Sequence, residues 1–261
     1  MPLMPAMRPF SSTSIAAAMP IRMPPASEAQ GVKWVQSMLI AILLPMMIRN
    51  AALAVLLAVA PAAFAQSPHT HRHSFGDAEK WAHVFDDPER DAWQKPHQVI
   101  LALALNPDAV VADLGAGTGY FATRLANMLP QATIYAVDSE PAMVKYLGER
   151  AKRESLPNLK PIVAGPDDAR LPAKVDLVLL VDVYHHIEMR EKYFRRLAAS
   201  LKPGGRLAVI DYRLDSPKGP PKASRVAPRR VKAELGKAGY VLQDEHGFLP
   251  RQYFLVFRPA D

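Results

Sequence analysis

The chain is expected to fold as an α/β domain: a doubly wound, mostly parallel seven-stranded sheet with an antiparallel C-terminal strand. Three observations predict this. From Asp77 onward, short apolar runs alternate with amphipathic helical patterns, and that alternation builds a parallel sheet with helices on both faces. The run VDLVLLVD (175–182) is apolar enough to be a central strand covered on both faces. The last two runs, YVLQDEHGF and RQYFLVFRP, read as a terminal strand pair.

The elements follow in order. Residues 86–105 open with turn and N-cap signals and continue as a helix carrying Trp93, Val99, Ile100, Leu103 and Leu105, with Pro96 placed to split it. DAVVADL (108–114) is a first buried strand, and YFATRLANML (120–129) is a helix ended by Pro130. ATIYAVD (132–138) is a second strand. PAMVKYLGERAKRE (141–154) is a helix with proline in its first turn. LKPIVA (159–164) is a short third strand and 175–182 the fourth. MREKYFRRLAASL (189–201) is an amphipathic helix stopped by Pro203-Gly204-Gly205, and GRLAVIDY (205–212) is the fifth strand. After a Pro/Lys-rich loop, APRRVKAELGKAG (227–239) is a helix capped by Gly239.

The front of the chain is different in kind. Eight of the eleven methionines lie in the first 47 of 261 residues, and prolines interrupt every apolar run there. Residues 1–45 are therefore expected to be a disordered upstream extension, with translation starting at Met46 or Met47. Residues 46–65 have the layout of a secretory signal peptide: Arg49, an apolar stretch over 51–60, Pro61, and Ala63-Phe64-Ala65 before the cleavage point. Its fifteen apolar residues are short for a span of roughly 20. The expectation is export, to a periplasm, without a stable membrane span; an uncleaved segment would be an anchor. Residues 66–76, with His69, His71 and His73, read as a mobile leader, and no metal site is expected.

Composition removes some functions. There are no cysteines, which excludes a thiolate nucleophile and Cys-ligated zinc. The net charge is +7, without a dense Lys/Arg run. The cluster Arg225, Arg229, Arg230 and Lys232 reads as a solvated helix face, and no nucleic-acid partner is expected.

The most informative stretch is VVADLGAGTGYF (110–121). Glycines at 115, 117 and 119 follow a strand that ends in Asp113, and a second acid, Asp138, ends the next strand 19 residues after Gly119. Bare backbone lets a ligand approach closely, and the acid at the second strand's end suits ribose hydroxyls. The spacing is G-x-G-x-G rather than the dinucleotide G-x-G-x-x-G, and Asp113 would repel a pyrophosphate. With LKPGG before the fifth strand, the chain over about 91–257 resembles the class I S-adenosylmethionine-dependent methyltransferases of small-molecule type.

That resemblance implies a Rossmann-like methyltransferase fold, S-adenosylmethionine as cofactor, and a set of ligands. Gly115, Gly117 and Gly119 would line the methionine and ribose. Asp113 would meet the amino group and Asp138 the ribose hydroxyls. Asp168, preferred over Asp167, would contact the adenine. Asp182, at the end of the fourth strand, would face the reacting centre. Tyr184, His185 and His186 follow at the sheet's carboxyl edge, where an acceptor should lie, and a neutral histidine is a plausible base. The acceptor is a small organic molecule, with lipophilic ones among the candidates. Two rivals remain: an exported protein holding an adenosine-type ligand without transfer, and a nicotinamide oxidoreductase.

Overall fold

The computed structural model describes residues 77–260. The extension, signal peptide and leader expected over 1–45, 46–65 and 66–76 lie outside the described residues.

The first described element is helix α1 (Ala78–Phe85), which the sequence reading passed over; Asp77 caps it by accepting the Lys80 N–H at 3.1 Å. The 86–105 segment is two helices, α2 (Glu89–Gln94) and α3 (Pro96–Ala102), with Lys95 between them at φ 47°. Pro96 cannot supply an N–H to continue α2 but suits the first turn of α3. Then follow β1 (Val110–Leu114), α4 (Tyr120–Met128), β2 (Thr133–Asp138), α5 (Pro141–Arg153), β3 (Leu159–Val163) and β4 (Val175–Val181). After a single 3-10 turn (Tyr184–His186) come α6 (Arg190–Leu197), β5 (Leu201–Tyr212), α7 (Pro228–Lys237), β6 (Tyr240–His246) and β7 (Gln252–Pro259).

The seven strands form one sheet in the order β3-β2-β1-β4-β5-β7-β6. Every pair is parallel except those made by β7, which runs antiparallel between β5 and β6. The expected doubly wound, mostly parallel sheet with an antiparallel C-terminal strand is therefore present. The chain winds outward from β1 to β3, then returns to β4 on the other side of β1. Ligands bind at such a reversal, beyond the carboxyl ends of the strands.

Central β4 shows why the core is stable. Leu177, Val178, Leu179 and Leu180 are all fully buried. Alternation along the strand sends Leu177 and Leu179 into the layer under α3, α4 and α5, and Val178 and Leu180 into the layer under α6 and α7. Each such side chain contributes about 1.5–3 kcal/mol by leaving water.

One expected boundary is wrong in kind. Pro203-Gly204-Gly205 does not stop a helix; α6 ends at Leu197, a 3-10 turn spans Ala198–Ser200, and the strand has begun by Leu201. Leu201 pairs with Val175 and Arg206 with Leu177, so residues 202–205 bulge out of the β4–β5 ladder. A side chain at Gly205 would sit 2.9 Å from the Val175 carbonyl oxygen, so only glycine allows that approach. Among the described residues, no helix is long and apolar enough to cross a membrane.

Candidate functional site

The glycine loop leaves β1 and turns into α4. Gly115, Gly117 and Gly119 all have positive φ (72°, 56° and 99°). At Gly115 a Cβ would stand 2.4 Å from Val183, and at Gly119 one would stand 2.7 Å from Leu147. Conformation and space both require glycine there. The Gly115 and Ala116 N–H groups donate to the Val137 carbonyl at 2.8 and 3.0 Å, fixing the loop against β2.

Asp138 stands at the end of β2 facing this loop. Its Oδ2 accepts the Gly117 N–H at 2.8 Å and its Oδ1 the Glu140 N–H at 3.0 Å. Asp138 is thus a turn-builder, and each oxygen keeps a lone pair beyond its backbone bond. Two adjacent ribose hydroxyls need that arrangement. Asp113, on β1, is buried against the first turn of α4. Burial, and then the neighbouring Asp138 charge, push its carboxyl up to about 7, against the opposing pull of the Ala122 N–H and Arg90. An ammonium group arriving there would find a carboxyl ready to ionise. Asp168 stands exposed after β3; its Oδ1 accepts the Arg170 N–H at 3.0 Å and its carbonyl the Gly165 N–H at 2.7 Å. The glycine loop with Asp113 and Asp138 fits the amino and ribose parts of S-adenosylmethionine.

The amino-terminal helices close over the loop. A Cβ at Gly117 would meet Phe85 of α1 at 3.3 Å. Arg150 of α5 binds Asp86 at 2.8 Å and the Thr118 carbonyl at 2.9 Å, joining the end of α1 to the loop. Tyr120, directly after Gly119, is buried, with the Arg90 and Arg124 guanidiniums each 3.9 Å from its ring centre and its hydroxyl donating to Asp91. The Arg90 contact, a cation–π interaction of about 0.5–2 kcal/mol, and the Asp91 hydrogen bond pin α2 here, while the Arg124 contact lies within α4.

The second half of the site lies at the ends of β4 and β5. Asp182 follows β4 at φ 60°. Gln94 donates to its Oδ2 at 3.2 Å, Gln252 donates to its Oδ1, and Arg90 lies 4.0 Å away. Burial, then the charge of Asp211, raise the Asp182 carboxyl to about 7. His185 turns Nδ1 onto Asp211, 3.0 and 2.9 Å from its two carboxylate oxygens. Both side chains are nearly inaccessible, at 5% and 1% exposure, so little solvent screens the pair. Burial alone would pull the imidazole down; the hydrogen bond and charge of Asp211, with Asp182 behind it, outweigh this and raise its pKa.

The three residues expected from YHH therefore separate. His185 is at the reacting edge. His186 is exposed, its ring centre 4.1 Å from that of His185. Tyr184 does not reach the edge: it is fully buried, stacked on Phe194, with its hydroxyl on Glu234 at 2.8 Å. Asp211, Gln94, Gln252 and Arg90 were not singled out from sequence. Asp211 was findable, because it nearly ends the fifth strand as Asp113, Asp138 and Asp182 end theirs. The two glutamines carry no sequence signal. The basic cluster also separates: Arg225 binds loop carbonyls, while Arg230 and Lys232 pair with Glu234 and Glu245. Among the described residues no group of side chains could hold a metal ion.

Residues 112–207 match the family described as "Methyltransferase domain". With the fold and the glycine loop, this match makes the chain similar to the class I S-adenosylmethionine-dependent methyltransferases and supports S-adenosylmethionine as the cofactor. Among named proteins, the chain is similar to the trans-aconitate 2-methyltransferases of Rhodopseudomonas palustris (31% identity over 54% of this chain and 52% of that one) and Deinococcus radiodurans (35% over 46% and 45%). It thus spans about half the length of these relatives. A solved SAM-dependent methyltransferase from Aquifex aeolicus has the same fold, with a TM-score of 0.64 at 24% identity, covering 69% of this chain and 97% of that one.

Proposed function

We propose that this protein transfers the methyl group of S-adenosylmethionine to a hydroxyl oxygen of a small organic acceptor, with His185 as general base. The observation that carries this is the His185–Asp211 pair at the carboxyl edge of β4 and β5, beside Asp182. Relatives named for trans-aconitate support the small-molecule class. The lipophilic option has no support in the charged and amide groups around Asp182.

Asp113, Asp138 and the glycine loop would hold the cofactor, which when bound would supply an electrophilic methyl on a sulfonium centre. Asp211 accepts from Nδ1–H of His185 and so fixes the tautomer with the lone pair on Nε2. Nε2 takes the proton that the acceptor hydroxyl sheds as its oxygen gains the methyl, and Asp211 stabilises the resulting imidazolium. Gln94 and Gln252 each donate to one oxygen of Asp182 and so fix its carboxyl group in place.

Calorimetric binding of S-adenosylmethionine and S-adenosylhomocysteine to the full chain, beside Asp138→Ala, tests the cofactor half. Labelled-methyl transfer to a panel of phenols and hydroxy acids, with trans-aconitate beside them as an acceptor that has carboxylates and no hydroxyl, tests the rest. Tight binding lost in the variant, with product whose formation needs His185, supports the proposal. Binding without transfer to any acceptor supports a ligand-holding protein. Absence of binding removes the methyltransferase reading. We also propose export by the signal peptide; finding the full-length chain only in the cytoplasmic fraction would overturn it.

A further inference from the structure

Beside the reacting edge lies a second group of side chains. Trp93 of α2 and Tyr212 of β5 are half-buried neighbours, ring centres 5.9 Å apart. The Arg251 guanidinium lies over the Trp93 ring, 4.9 Å from its centre. Loop backbone backs Tyr212: a Cβ at Gly219 would be 2.5 Å from its ring. That loop is in turn held by Arg225, whose guanidinium donates to the carbonyls of Arg213, Ser216 and Lys218, among others.

Arg251 differs from the other arginines here. Arg90 is committed to Gln94, the Phe85 carbonyl and Asp182. Arg213 donates to the carbonyls of Leu249, Pro250 and Gln252. Among the described residues, the Arg251 guanidinium has no hydrogen-bond acceptor and no ion-pair partner; a ring face is its contact. A guanidinium over an indole face spends none of its N–H donors on that contact, and their fork matches a carboxylate.

The position of this group is fixed by covalent adjacency. Trp93 precedes Gln94, which binds Asp182. Arg251 precedes Gln252, which also binds Asp182. Tyr212 follows Asp211, which binds His185. Three consecutive pairs thus each place one member in this group and the other at the reacting edge. Tyr212 also interacts electrostatically with Asp182 and Asp211, so an acceptor seated here stands beside the reacting edge.

We propose that Trp93, Tyr212 and Arg251 form the acceptor's recognition site, and that it takes a planar acid, its ring or conjugated plane on the aromatic pair and its carboxylate on Arg251. This rests on the edge at His185 and Asp182 being the acceptor site of the proposed reaction. It deepens that reading by giving the acceptor a class: a flat molecule carrying a carboxylate away from the hydroxyl that is methylated.

The test is ligand-observed NMR titration of the full chain with benzoate, benzamide and cyclohexanecarboxylate, each with and without S-adenosylhomocysteine. Benzoate should bind at least tenfold tighter than either comparison compound. Arg251→Gln should erase its advantage over benzamide. Trp93→Leu should erase its advantage over cyclohexanecarboxylate. Both variants should bind S-adenosylhomocysteine as the wild type does, which shows that they are folded. Equal binding of benzoate and benzamide, or a preference that survives Arg251→Gln, overturns the proposal. Loss of S-adenosylhomocysteine binding by the wild type strikes the cofactor reading instead, and the titrations without it still decide this one.

Discussion

Asp113→Asn should stabilise the free protein and weaken its cofactor binding, and the two effects share one cause. Asp113 is buried at 3% exposure, and burial with the nearby Asp138 moves its carboxyl from 3.8 to about 7. The folded state therefore holds a proton that the unfolded chain releases between those values. The sign is the reverse of an ordinary salt-bridged aspartate: its contribution is present below pH 3.8 and lost as pH rises through about 7. At about 1.4 kcal/mol per pH unit, the loss approaches about 4 kcal/mol at neutrality. Asparagine keeps the shape and does not ionise, so the variant should escape this loss. At about 2–4 °C per kcal/mol for a domain of this size, its melting point at pH 7 should stand roughly 10 °C above wild type. The gap should vanish near pH 4.

Cofactor binding should move the other way. An ammonium against Asp113 favours the carboxylate, so binding near pH 6.5 should release a proton, visible as a dependence of the calorimetric heat on buffer. The variant should release none and bind at least about tenfold more weakly, the cost of a charged hydrogen bond. Scanning calorimetry from pH 4 to 8 decides the matter. An Asp113→Asn protein that melts below wild type at pH 7, or by the same margin at every pH, refutes the burial argument.

The remaining predictions concern the other half of the site and the loop. His185→Gln should lower kcat by about 10²–10⁴-fold with cofactor affinity unchanged. In the wild type, kcat/KM for the acceptor should rise with pH to a midpoint above 6.5, because Asp211 raises the imidazole that must be neutral to act as base. Asp211→Asn should move that midpoint down, since burial then acts unopposed; an unmoved profile would show that His185 is not the titrating group. Gly119→Ala, with φ 99° and Leu147 only 2.7 Å from the new Cβ, should cost about 1–3 kcal/mol in urea unfolding.

The architecture was legible because each strand declared itself locally. VDLVLLVD reads as central from composition alone, and it is. The acids closing β1, β2 and β4 were found by the same rule, since strand ends point at the ligand edge. The rule went unapplied to Asp211, one residue before the end of β5, so the partner of His185 was missed. Other features were out of reach. Pro203-Gly204-Gly205 looks like a helix stop in one dimension, and becomes a bulge only because β4 lies alongside. Tyr184 shares a motif with His185, yet a tight 3-10 turn sends it into the core against Phe194. Gln94 and Gln252 meet at Asp182 from positions 158 residues apart, a contact that only tertiary structure brings about.

The electrostatics of the sheet's whole carboxyl edge also bear on the nature of the ligand. Asp113 and Asp211 are buried and Asp182 half-buried along one edge, and Asp113 and Asp182 are held near 7. A protein folded around such groups sacrifices stability unless something at the site favours their charged forms. A cation does so: its ammonium or sulfonium charge lowers each carboxyl it faces, and binding then recovers the free energy that burial cost. A pyrophosphate in the same glycine loop would act oppositely. It would face Asp113 and Asp138, drive both further toward neutrality, and weaken its own binding. The acids that make this edge unfavourable in the free protein are thus the feature that selects a cationic cofactor over a nicotinamide dinucleotide. The selection should appear as ligand-dependent melting that grows with pH for S-adenosylmethionine and is absent for the dinucleotide.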